Sequence, residues 1–255
     1  MKNLLKFAYL QALSCLFPVI IFAALALTKF VDFPFLPRYD FILLICIIAQ
    51  IFMLASKLET VDEFKVICLF HVIGLALELF KVYMGSWSYP EEAFSKIFGV
   101  PLYSGFMYAS VASYICQSWR RLDLQIYDWP KPFLAISISF LIYSNFFTHH
   151  FLFDARWVLK GLLFFIFFKT IVTYQLNGTR YKMPMILSFL LIGFFIWIAE
   201  NITTFFGAWQ YPNQEVTWSL VHFGKISSWF LLVIISIIIV AQLKRVKSLS
   251  RDIEI

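Results

Sequence analysis

Residues 66–84 read VICLFHVIGLALELFKVYM, and residues 85–90 close the run with GSWSYP. A helix rising about 1.5 Å per residue needs about 20 apolar residues to cross ~30 Å of hydrocarbon. This run has that length, and it stops at a glycine and a proline, residues that end helices. Residues 184–205, PMILSFLLIGFFIWIAENITTF, have the same character and the same ending, with Gly207, Trp209, Tyr211 and Pro212. Working outward, further apolar runs occupy residues 10–28, 41–56, 101–118, 133–147, 158–174 and 217–243. The expectation is an all-α, polytopic membrane protein of about eight transmembrane helices, with short connections that make neighbours antiparallel. Helix is the reading because each lipid-exposed amide must be satisfied within its own segment, and none of these runs shows the alternation of a barrel strand.

Composition agrees. Of 255 residues, 61% are hydrophobic and 14% charged, against about 45–50% and about 25% in soluble domains. Such a chain cannot cover its own surface with polar groups. Lys2 and Lys6 precede an apolar run containing Ala24-Leu25-Ala26, which imitates a signal peptide. The apolar stretch 7–27 exceeds the usual signal core of about 7–15 residues, and Phe33-Pro34-Phe35-Leu36-Pro37 reads as a compact turn between spans, so the segment is taken as a span.

Orientation follows from the basic residues, which accumulate on cytoplasmic loops. With eight spans, one face holds Lys2, Lys6, Lys57, Lys65, Arg120, Arg121, Lys131, Arg180, Lys182, Lys244, Arg245, Lys247 and Arg251, and the other only Lys29, Arg38, Lys96 and Arg156. Both termini are therefore expected in the cytoplasm, in a cell membrane. The net charge of +6 is mostly topology, and nucleic acid is not an expected partner because no basic soluble domain is present. Cys15, Cys46, Cys68 and Cys116 are isolated within apolar runs, as buried small hydrophobes are. No nucleotide loop, haem motif or metal spacing occurs, so no cofactor and no metal site are expected.

The two opening stretches are copies. Glu78, Gly85, Trp87, Tyr89 and Pro90 recur as Glu200, Gly207, Trp209, Tyr211 and Pro212, all at one offset of 122 residues. Four spans separate the copies, so both run in the same direction. That predicts two parallel four-helix repeats, residues 1–128 and 129–255, about an axis along the membrane normal. Gly, Trp, Tyr and Pro are explained by an interfacial helix stop; the glutamates are not. Each lies seven residues before its glycine, roughly 10 Å below the helix end, where a carboxylate is costly unless paired or facing water.

Glu78 and Glu200 are thus the candidate catalytic pair. His71, Glu78 and Lys81 share one helical stripe, and Trp218, His222, Lys225 and Trp229 share another, which makes Glu78–Lys81 and Glu200–Lys225 expected ion pairs. His149 and His150 fall toward the same end, with Asp154, Arg156 and Lys160. Lys81, Trp87, Tyr89, Trp209, Tyr211, His222, Lys225, His149 and His150 are accordingly the candidate substrate-binding residues of an outward polar cavity. The competing reading makes the charged groups mere register pins between helices.

Residues 78–91, ELFKVYMGSWSYPE, and 99–111, GVPLYSGFMYASV, resemble the YoaT-like family of uncharacterised bacterial integral membrane proteins, and the resemblance covers nearly the whole chain. It implies a bacterial cytoplasmic membrane and carries over no functional residue. A membrane Glu followed by Gly, Trp-x-Tyr and Gly-Val-Pro is also similar in flavour to membrane-embedded carotenoid cyclases and hydratases, whose acids protonate polyenes. Tyr89-Pro90-Glu91-Glu92 departs from the Pro-x-Glu-Glu element of those cyclases by lacking the intervening residue.

Three functions follow as expectations. In the first, an acid–base enzyme uses Glu78 and Glu200 on a lipid or isoprenoid substrate, with aromatic faces holding developing positive charge. In the second, the same groups bind and release protons or a small solute in a transporter. In the third, the chain is a non-catalytic membrane scaffold. The lipid bilayer is the expected partner in all three.

Overall fold

The computed structural model describes residues 2–31 and 34–253, the last ten of these by backbone alone. Phe33, which opens the expected turn, and the side chains of Lys244, Arg245, Lys247 and Arg251 lie outside the described residues. The described helices are α1 Lys2–Ser14, α2 Leu16–Phe30, α3 Arg38–Ala55, α4 Val61–Tyr83, α5 Tyr103–Arg121, α6 Pro132–Thr148, α7 Arg156–Phe167, α8 Met185–Phe205 and α9 Gly224–Ile253. Short strands are β1 Lys96–Ile97, β2 Val100–Pro101, β3 Gln125–Tyr127, β4 Ile171–Leu176 and β5 Thr179–Pro184. The protein is therefore mostly helical. Of the helices, α3, α4, α8 and the α9 segment to Leu243 are long and apolar enough to cross a membrane, and the bent pair α1–α2 adds a fifth if it is one span.

The departures from expectation have local causes. The first run is broken at Cys15 into helices inclined at 65°. Pro18 has no N–H, and its ring crowds the carbonyl of Ser14 four residues back, which places the break where it occurs. The run at 158–174 is not one helix. Its second half is β4, a segment of β-branched and aromatic residues, Ile171, Val172, Thr173 and Tyr174, paired antiparallel with β5 and β3. Asn177 and Gly178, both at positive φ (49° and 80°), form the two-residue turn of this hairpin. Finally, α9 begins at Gly224 rather than 217, so Trp218 and His222 precede it and share no helical stripe with Lys225 and Trp229.

Helix α5 organises the interior. It carries Ser, Gly, Gln and Arg at too high a density to face lipid alone, and Ala109, Ala112, Ser113 and Cys116 on it are fully buried. It packs on α4, α1, α2, α3 and α9, while α8 packs mainly on α9. Gly105 is needed for this: a Cβ there would lie 2.7 Å from the His71 ring of α4. Outward faces are apolar, with Ile51 62%, Phe140 69% and Phe165 77% exposed, the pattern of helices that meet lipid rather than water.

Polar groups close one end of the helices. Thr60 caps α4 in a box with Glu63, whose carboxylate also meets Arg120 at 3.1 Å. Glu59, in the turn before α4, accepts from Gln50 Nε2 at 2.6 Å and from Ser113 Oγ. Burial pushes its carboxyl above the ordinary range.

Candidate functional site

The site is built where α4 and α8 end. Met84 (φ −80°, ψ 2°) closes α4 and Phe206 (φ −79°, ψ 1°) closes α8. Gly85 (φ 67°) and Gly207 (φ 73°) follow in the left-handed region that glycine adopts without strain. The next amide returns to the helix, Ser86 N to Lys81 O at 2.9 Å and Ala208 N to Thr203 O at 3.0 Å. Both ends are the same Schellman stop. Beyond it the two segments pair with each other: Ser88 N donates to Gln210 O at 2.9 Å and Gln210 N to Ser88 O at 3.0 Å. These two residues occupy equivalent positions of the sequence repeat, so the bridge relates the two motifs by a local two-fold axis.

That pairing explains the Trp-x-Tyr spacing. In extended chain, residues two apart share a face. Trp87 Nε1 and Tyr89 Oη both donate to Glu78 Oε2, each at 2.7 Å, and Tyr108 Oη of α5 donates to Oε1 at 2.7 Å. At the second copy, Tyr211 Oη donates to Glu200 Oε1, and Trp229 Nε1 of α9 donates to Oε2 at 2.7 Å. Trp209 packs in the same buried cluster as Tyr211. Both carboxylates are buried, each 3% exposed. All five donors are neutral.

The expected ion pairs are not formed. Among the described residues, neither Glu78–Lys81 nor Glu200–Lys225 is a direct ion pair. Lys225 Nζ lies over the rings of Tyr211 (4.4 Å to the centroid) and Trp87 (5.1 Å), whose polar tips bond Glu200 and Glu78 respectively. The aromatic side chains thus stand between the ammonium and the carboxylates. Lys81 Nζ meets His149 Nε2 at 3.3 Å and His150 Nε2 at 2.8 Å on the turn after α6.

A cavity of about 1130 Å³ opens beside these groups. Glu78, Glu200, Lys81, Lys225, His149 and Arg156 line its polar end. From there it extends between α5 and α8 to Ile126, Val172 and Met183 at the three-stranded sheet, with apolar lining. Along α5 the lining runs from Tyr108 to Leu122, a length of about 20 Å.

With that geometry in place, comparison with known proteins supplies the family. The model of a family described as "Protein of unknown function (DUF817)" matches residues 3–237. The chain belongs to that family. It is also 66% identical over 249 residues to the "Uncharacterized protein YoaT" of Bacillus subtilis (strain 168), covering 98% of this chain and 94% of that one. No solved structure matches. The resemblance to the YoaT-like family thus holds along almost the full length of this DUF817 chain.

Within this DUF817 chain, the structure brings Glu78, Glu200, Trp87, Tyr89, Tyr211 and Lys225 together, and joins Lys81 to His149 and His150. His222 lines the cavity but is exposed, and its Nδ1 accepts from Gly224 N at 3.0 Å rather than meeting a carboxylate. Trp209 packs in a buried cluster with Trp197 and Val221. Glu91, the carboxyl compared above with the cyclase element, pairs with Arg38 at 2.5 Å and is not part of the cavity lining. Tyr108 and Trp229 complete the carboxylate locks and were not among the candidate residues. They lie 30 and 29 positions after their glutamates, on the next helix of each pair, where only tertiary packing brings them in.

The turn after α6 predicts a pH response. Burial and the neighbouring Lys81 ammonium lower the pKa of both His149 and His150 from the ordinary 6.5. Arg156 also disfavours the His149 cation, whereas Asp154 favours it. Burial raises Asp154, but its bonds with Arg156 and Asn145 prevail and hold it at about 2, so Asp154 stays ionised throughout. Because the folded-state pKa of each His is below the unfolded one, their contribution is complete above about 6.5 and is lost as pH falls below it. Thermal stability should drop between pH 7 and pH 5 by at most about 2–4 °C, and less in the variant His149→Phe/His150→Phe. Equal pH slopes in the two proteins would remove the histidines from the account.

Proposed function

We propose that this protein is a membrane-embedded acid–base enzyme acting on a lipid or isoprenoid substrate, with Glu78 and Glu200 as its proton-transferring pair. The single observation that carries the reading is that both buried carboxylates line the polar end of one large, mainly apolar cavity. One carboxyl delivers a proton to the bound substrate, and the other removes one, leaving the proton count unchanged. Between those steps the faces of Trp87, Tyr108, Tyr211 and Trp229 hold the positive charge. The tyrosine hydroxyls bonded to each carboxylate give the proton a path to the cavity.

The frame we propose for it is eight spans in two parallel repeats, residues 1–128 and 129–255, in a bacterial cytoplasmic membrane with both termini inside. The identical stops of α4 and α8 and the Ser88–Gln210 bridge support the repeat. So does the packing of α2 on α8 and of α6 on α4, the same cross-contact made once in each direction. Asn3 bonds Tyr181 and Asn177 of the hairpin, which supports an N-terminus and a 177–178 turn on one face, away from the paired motifs. Reporter fusions after Lys247 and a tag at Asn177 should then read cytoplasmic, and one inside residues 90–96 exterior. A reading of the same side for all three would remove a span and the outward site with it.

The activity is tested by profiling lipids and isoprenoids in cells that lack the chain and in cells that carry wild type, Glu78→Gln or Glu200→Gln. The expected result is a lipid species whose level depends on the wild type and that neither Gln variant restores. The local two-fold axis at the cavity favours one second reading, a transporter working between two halves. In that case lipids would be unchanged and a solute distribution would shift.

A further inference from the structure

Among the described residues, neither lysine of the cavity has a carboxylate in a direct ion pair. An ammonium has three donors and no acceptor, and within a membrane such a group is paired or faces water. The carboxylates that line the cavity with Lys225 are Glu200 and Glu78, yet neutral Trp N–H and Tyr O–H groups already occupy both oxygens of each. Lys225 is left with aromatic faces and Lys81 with two imidazoles. Arg156 joins them at the same end, its charge balanced by Asp154 at 2.5 Å and one N–H turned toward Ser228 at 3.4 Å. Lys81, Lys225 and Arg156 all line this end of the cavity. An arrangement that shields its own anions from its own cations has room for an anion brought from elsewhere.

Below this cluster the cavity is apolar for about 20 Å along α5, past Val111, Ile192 and Phe195 to Ile126 and Val172 at the sheet. At about 1130 Å³ it exceeds the roughly 300–1,000 Å³ of ordinary small-molecule pockets. A cationic end on a long, mainly apolar space has the complementary length and charge of one kind of molecule.

We infer that the cavity binds a single-chain amphiphile with a phosphate-type anionic head, the head held by Lys81, Lys225 and Arg156 and the chain laid along the apolar length between α5 and α8. This rests on the proposed enzyme reading for its purpose, since it places the carbons nearest the head beside Glu78 and Glu200. The binding itself is independent of any turnover.

The full chain in nanodiscs of zwitterionic lipid would be titrated with hexadecyl phosphate, hexadecanol and inorganic phosphate, following tryptophan fluorescence and thermal stability. Hexadecyl phosphate should bind saturably and raise the Tm. Hexadecanol and inorganic phosphate should each bind at least about tenfold more weakly, since each lacks one half of the recognition. Equal binding of hexadecanol would overturn the assignment of the head. Equal binding of inorganic phosphate would overturn the assignment of the chain and leave a site for a free anion. Lys225→Met and Lys81→Met should each weaken hexadecyl phosphate about tenfold, and because the ligand series is read on the unaltered protein, poor folding of either variant leaves the inference open to refutation. Glu78→Gln and Glu200→Gln should bind hexadecyl phosphate like wild type. If they bind it and also restore the cellular lipid profile, the enzyme reading fails while the amphiphile site stands. If wild type discriminates neither head nor chain while the Gln variants lose the profile, the amphiphile site fails and the enzyme reading stands.

Discussion

Glu78→Leu is expected to be among the most damaging single substitutions in the protein, and Glu78→Gln among the mildest at a buried charge. Leucine leaves Trp87 Nε1, Tyr89 Oη and Tyr108 Oη without an acceptor. A stranded buried donor costs about 1–3 kcal/mol in water-soluble proteins and nearer ~0.6 in membrane helices, so three together cost about 2–9 kcal/mol. Glutamine keeps the count. Its carbonyl oxygen accepts from Trp87 and Tyr89, and its amide donates to Tyr108, whose hydroxyl turns to accept. The folded fraction from size-exclusion profiles and the Tm in detergent should therefore fall for Leu and stay near wild type for Gln. The same contrast should appear at Glu200, smaller by one donor. A Glu78→Leu protein as stable as wild type would mean that the aromatic donors have other acceptors, and the lock would lose its structural meaning.

This expectation differs from the one the sequence alone supports. Glutamate with lysine three residues on, or on the next helix at the same depth, reads as an ion pair. On that reading glutamine would strand an ammonium, at about 3–5 kcal/mol. The helix stripe that placed Lys225 opposite Glu200 assumed that α9 starts near residue 217. It starts at Gly224, and the aromatics of the stop motif fold back under the helix end to take the carboxylates first. Glycine at the two stops was legible as a helix end, whereas Trp-x-Tyr, explained from sequence as an interfacial stop, carries carboxylate bonds at the first copy. What spacing could not supply was the cross-helix half of each lock, because Tyr108 and Trp229 sit in unremarkable helical stretches. The β4–β5 hairpin is the opposite case. Asn177-Gly178, close to the β-branched Ile171, Val172, Thr173 and Thr179, is a strong hairpin signal that a reading of 158–174 by length and hydropathy passes over. Length and hydropathy cannot separate a membrane helix from a helix followed by an apolar strand; the turn residues can.

The second large effect concerns two glycines that seat those cross-helix donors. Gly74, one turn before Glu78 on α4, leaves space that Tyr108 fills: an added Cβ would lie 2.3 Å from Tyr108 Cγ and 2.5 Å from its Cβ. Gly193, two turns before Glu200 on α8, faces backbone instead, with an added Cβ 2.9 Å from Phe230 N and 3.1 Å from its Cα, next to Trp229. Gly74→Ala and Gly193→Ala should each destabilise by about 1–3 kcal/mol through overpacking and pull one donor from its glutamate. The two should differ in what relieves them. The Gly74 clash is with a side chain from its Cβ outward, so Tyr108→Gly should suppress it, and the double variant should be more stable than the sum of the singles predicts, by about 1–2 kcal/mol. The Gly193 clash is with main chain, so truncating Trp229 or Phe230 should recover nothing, and α9 must move as a body away from α8. Thermal unfolding of the five single and three double variants measures this, with tryptophan emission reporting Trp229. Additivity at Gly74–Tyr108, or suppression of Gly193→Ala by Phe230→Ala, would show that neither glycine sets the distance between its glutamate and the donor across the helix pair.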